Sequence, residues 1–103
     1  METEKNKFSI IYLLVSCFIY RIKPNMRLIT LDWNSDFSWL KIYCITDSMP
    51  TSKDFELMED VVSLYESFHE NNETEVELSV EFDEIPFDKI NPRKYILYAR
   101  YEE

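Results

Sequence analysis

Not one of the 103 residues is glycine, against an average usage of about 7%. That removes every glycine-rich phosphate cradle and dinucleotide fingerprint, and nearly excludes the enzymes that depend on them. Turns must rest on Asn, Asp and Pro, as at Pro24-Asn25, Asn34-Ser35-Asp36, Asn71-Asn72 and Asn91-Pro92. Histidine occurs once, as His69 at the end of an acidic helical stretch, where a solvated side chain is the simpler reading. Cys17 and Cys44 are too few for a disulfide framework. They lie in apolar runs and read as buried thiols of a reducing compartment, with no positive neighbourhood to activate them. Asp83, Glu84 and Asp88 could in principle bind calcium or magnesium, but no glycine-containing calcium loop accompanies them. No catalytic residue, metal or cofactor is therefore expected, and the chain reads as a non-enzyme.

The next shortage is local. From Asp54 to Asp88 there is no Lys or Arg, yet thirteen of the twenty carboxylates fall there. The net charge of −9 is thus the sum of a strongly negative middle and a mildly positive remainder. Such segregation points to a partner surface, since scattered charge would serve solubility as well. It also argues against direct nucleic-acid binding, which needs clustered bases. With 46% apolar and 16% aromatic residues, the chain is no disordered acidic tail; its length suits one domain, residues 1–103, around a single core.

In chain order, Phe8 to Ile22 is the most apolar stretch. Only thirteen residues separate Lys7 from Arg21, short of the roughly 17–25 that span a bilayer. The segment Leu14-Val15-Ser16-Cys17 resembles a lipoprotein cleavage box, but the apolar run continues past it as Phe18-Ile19-Tyr20. A buried helix stopped by Pro24-Asn25 is the preferred reading, with a strand or an export signal as alternatives. Met26 to Trp33 and Trp39 to Thr46 alternate as two strands of a hairpin, with Leu40, Ile42 and Cys44 inward. Thr51 and Asp54 fit a capping box that opens a helix to about Glu70, with Phe55, Met58, Val61, Val62, Tyr65 and Phe68 along its apolar stripe. Thr74 to Asp83 alternates again, placing Val76, Leu78, Val80 and Phe82 inward and Glu75, Glu77, Ser79, Glu81 and Asp83 outward. After a loop, Lys94 to Glu102 is a last strand with Tyr95, Leu97, Ala99 and Tyr101 inward.

The order αββαββ predicts an α+β fold, a four-stranded antiparallel sheet with two helices on one face. The other sheet face would lie open, with Lys94, Ile96, Tyr98 and Arg100 set to pair with the acidic row and Trp39, Tyr43 and Ile45 beside them.

Several stretches resemble small bacterial immunity proteins of contact-dependent inhibition and related polymorphic toxin systems (CdiI-like and MafI-like). They are Ile22-Lys23-Pro24-Asn25-Met26-Arg27, the hairpin, Pro50-Thr51-Ser52-Lys53-Asp54 with Met58-Glu59-Asp60-Val61-Val62, and Tyr98-Ala99-Arg100-Tyr101-Glu102. The resemblance implies a cytoplasmic inhibitor, commonly of a nuclease, encoded beside its toxin. The expected partner is the basic C-terminal domain of a cognate toxin, with no membrane span and no direct contact to nucleic acid. Glu75, Glu77, Glu81, Asp83 and Glu84, then Glu56, Glu59, Asp60 and Glu66, are the expected charge partners, with Tyr43 and Tyr98 as anchors. The alternatives are an acidic intracellular adaptor for some other basic partner, or an envelope lipoprotein anchored through Cys17.

Overall fold

The computed structural model describes residues 2–35, 38–68, 75–91 and 93–102, without the side chains of 2–8 and 68. The expected stop at Asn71-Asn72, His69 and parts of the Asn34-Ser35-Asp36 and Asn91-Pro92 turns lie outside the described residues.

Helix α1 runs over Glu2–Cys17, strand β1 over Met26–Trp33, β2 over Trp39–Thr46, helix α2 over Ser52–Phe68, β3 over Glu75–Phe82 and β4 over Tyr95–Ala99. A single 3-10 turn, Phe87–Lys89, interrupts the segment before β4. The helix reading of the apolar N-terminal stretch therefore stands over the strand alternative. The helix is buried on one side only. Ile11, Leu14, Cys17 and Phe18 enter the core, while Tyr12, Val15 and Ile19 stay exposed. It ends at Cys17, short of the expected stop at Pro24-Asn25. The Arg21 guanidinium donates to the carbonyls of Cys17 and Ile19, and Tyr20 takes φ 68°. Glycine usually fills such a stop. A chain without glycine must place a side chain there, at roughly 1–2 kcal/mol.

At the start of α2 the expected capping box forms in full. The Thr51 backbone N–H donates to Asp54 Oδ2 at 2.8 Å, and the Asp54 N–H donates back to Thr51 Oγ1 at 3.4 Å. Met58, Val61 and Tyr65 follow Asp54 into the core. Phe55, expected on that stripe, is 42% exposed instead.

The sheet is mixed, not antiparallel. Its strand order is β3-β2-β1-β4, with β1 antiparallel to β2 and to β4, and β3 parallel to β2. The physical reason is α2. A helix joining two neighbouring strands carries the chain back to the end where the first strand began, so the second runs parallel to it. The inner face carries Ile29, Leu31, Leu40, Ile42, Cys44 and Val80, which form one core with both helices. Cys17 and Cys44 are free and buried in it, and burial, then the nearby Asp54 charge, push the Cys44 thiol up to about 12.

β3 and β4 occupy opposite edges and run the same way, so the connection, described over residues 83–91 and 93–94, must cross the sheet. It crosses the face away from the helices. There Ile90 is buried, together with Arg27, Leu28 and Thr30 of β1. The face expected to lie open is thus partly roofed. Beneath the crossover remains a cavity of about 130 Å³, bordered by Tyr43, Ser79, Glu81, Ile90 and Arg93.

Candidate partner-binding surface

The carboxylates divide into two populations. The first is committed to the fold. Asp54 is fully buried, and its oxygens accept from Lys23 Nζ at 2.8 Å, Asn25 Nδ2 at 3.2 and 3.3 Å, and Thr51. Burial pushes this carboxyl up, but the hydrogen bonds from Lys23, Thr51 and Asn25 outweigh it and hold the group at about 2. Arg27, 5% exposed, grips both oxygens of Glu102 at 2.9 Å and the Asp83 carbonyl at 2.7 Å. Its guanidinium lies 4.8 Å from the centre of the Phe87 ring. Arg100 links the two clusters, donating to the Pro24 carbonyl and Asp47 Oδ2, each at 2.7 Å, and to Glu102. The hydrogen bonds from Arg27 hold the Glu102 carboxyl at about 2.

Residues 23–27 are therefore a hub that fastens α2, the crossover and the C-terminal tail. Three of the stretches that carry the family resemblance (22–27, 50–54 and 98–102) meet in this hub. They are structural framework, and the hub was not anticipated as such. One signal existed: Asp54 sits on the same helical line as Met58, Val61 and Tyr65, and an acid on a core line needs a partner.

The second population is left over. Glu75, Glu77 and Glu81 point from β3 to solvent on the crossover side, and Glu84 is exposed just beyond. Glu56, Glu59, Asp60 and Glu66 are exposed on α2, on the opposite side of the sheet. The two rows therefore do not share a face. They approach each other only along β3, on which α2 packs. Among the described residues, Glu56 alone of these acids has an ion pair, with Lys53 at 3.8 Å.

Three expected partner residues have other work. Asp83 is half-buried, accepts the Ile85 N–H at 3.0 Å and gives its carbonyl to Arg27, so it shapes the crossover. Tyr98 pairs with Ile29 across a bulge and packs against the core, so it faces the helices rather than the open side. Tyr43 is on the predicted face, but Arg93 and Lys41 lie over its ring, 4.0 and 4.9 Å from its centre. Nor do Lys94 and Arg100 neutralise the acidic row. Lys94 donates to the Trp33 carbonyl and Arg100 belongs to the hub, because β4 lies at the far edge.

Residues 7–102 match the family model described as MafI2 immunity protein. The chain belongs to the MafI2 immunity protein family. Membership brings a toxin-neutralising role and a cognate toxin as partner. Comparison with curated proteins gave no significant match. Among the described residues, no helix is long and apolar enough to cross a membrane.

Proposed function

We propose that this immunity protein acts in the cytoplasm on a basic nuclease domain, most simply an RNase, and occludes its substrate cleft with the acidic side formed by β3 and the adjoining α2. The observation that carries this reading is the imbalance of pairing. Arg27, Arg100 and Lys23 are consumed by Asp47, Asp54 and Glu102, whereas Glu59, Asp60, Glu66, Glu75, Glu77, Glu81 and Glu84 form no ion pair among the described residues, although Lys41 lies opposite Glu77 and Lys89 and Arg93 border the same cavity as Glu81. A cleft that holds nucleic acid is positive, and a rigid row of carboxylates can occupy it in place of phosphates. Such complementarity speeds encounter and suppresses wrong partners.

The test is Glu77→Lys combined with Glu81→Lys, assayed against the toxin encoded beside this chain. Affinity should fall by more than about tenfold at low salt, chiefly through slower association, and the deficit should shrink at high salt. Unchanged affinity at both salts would remove these residues from the interface. A toxin that is inhibited but cleaves no nucleic acid would remove the nuclease part of the reading.

A further inference from the structure

We infer that the outer edge of β3 is a docking strand, and that a basic strand of the toxin adds to it as a fifth strand of the sheet. The inference deepens the proposed function and rests on it.

The two edges of the sheet are built differently. β4 is five residues long, is bulged where it pairs with β1, and is flanked by Lys94 and Arg100. Short length, bulges and basic flanks are how natural sheets discourage further pairing. β3 is neither short nor bulged, and its charges are the acids Glu75, Glu77 and Glu81, which repel another acidic edge but not a basic one. It is eight residues long, keeps unbroken register with β2 from Trp39↔Glu75 to Thr46↔Phe82, and contains no Pro, Lys or Arg. Among the described residues, nothing pairs with its outer side.

The backbone phase is fixed by two hydrogen bonds. The Glu75 N–H donates to the Ser38 carbonyl and the Asp83 N–H to the Thr46 carbonyl. Odd-numbered residues thus turn their N–H and C=O groups toward β2. By strand alternation, Val76, Leu78, Val80 and Phe82 offer theirs outward.

The side chains select the occupant. A second copy of this chain would set Glu75, Glu77 and Glu81 against their own like, which is unfavourable between paired strands. A strand alternating Lys or Arg with apolar residues satisfies both sides at once. Its cations would face the glutamates, and its apolar side chains would extend the surface of Val76, Leu78 and the 37% exposed Phe82. Main-chain bonds would supply the affinity and the alternating side chains the specificity.

Amide hydrogen exchange of the intact chain, alone and with the toxin's C-terminal domain, tests this. The amides of Val76, Leu78, Val80 and Phe82 should exchange fast in the free chain and slow by more than about tenfold in the complex, with β4 unchanged. Val76→Pro, which deletes an outward N–H only, should weaken binding while the melting curve stays two-state. An inhibited toxin with those four amides still fast would overturn the edge proposal and leave the proposed function standing. Protection that grows with concentration in the free chain would assign the edge to a second copy and overturn it too. Absence of any complex would overturn both readings.

Discussion

Asp54 and Glu77 carry the same charge in the same acidic block, yet the fold treats them oppositely. Asp54 is buried under three donors from two segments; Glu77 stands on an edge strand in solvent. The same contrast separates the hub around residues 23–27 from the side formed by α2 and β3. In the first region opposite charges meet at 2.7–2.9 Å and hold distant parts of the chain together. In the second, like charges are kept on the sheet and helix with a single ion pair among the described residues, and Lys41, Lys89 and Arg93 nearby without closing on them. A run of acids becomes informative about a partner only after the acids that serve the fold are subtracted.

Stability measurements can break that contrast. The largest effect is expected at Arg27, where Arg27→Ala empties a buried site and leaves the Asp83 carbonyl without its donor, while Glu102 keeps Arg100; it should cost about 3 kcal/mol in urea denaturation. Next is Asp54→Asn, which should cost roughly 2 kcal/mol at pH 7. The sign follows from the depressed carboxyl. Its contribution is present above the ordinary value of 3.8 and is lost as pH falls toward about 2. Wild type and variant should therefore converge between pH 4 and 2, and a constant gap would contradict the assignment. Salt should act the other way on the second region. Raising NaCl from about 0.05 to 1 M screens the unbalanced acids and should raise stability by up to about 1 kcal/mol. The smallest effect is expected for Glu59→Gln with Glu77→Gln, within about 0.5 kcal/mol of wild type. A larger loss there would mean these acids also serve the fold.

Much of the fold was legible because alternation reports directly on burial. β1 and β2 fall at the expected residues, and the Thr51–Asp54 capping box marks where α2 begins. Alternation says which way a side chain points but not which strand lies beside it, so the parallel partnership of β2 and β3 was missed. The signal was available in the 17-residue helix between them, since a helical connection between adjacent strands favours the parallel sense. The bulge in β4 shifted Tyr98 to the helix side, a displacement that strict period-two counting cannot register. The acids of the candidate site were visible as a run. Their division between two sides of the sheet was already implied by setting both helices on one face and the acidic row of β3 on the other; the commitment of Asp54 and Asp83 to the fold was not visible.

The central strand β1 acquires its second neighbour only when residues 95–99 are available, and Arg27 receives its carboxylate from position 102. On a ribosome adding about 5–20 residues per second, that leaves several seconds between synthesis of the middle of the sheet and closure of its far edge. Until then β1 presents an unpaired row of backbone N–H and C=O groups and a cation without its carboxylate partner at its end. Maturation of this inhibitor is thus timed by its tail, and a nascent chain stalled shortly before Glu102 would hold most of the core residues and lack the clasp that locks them.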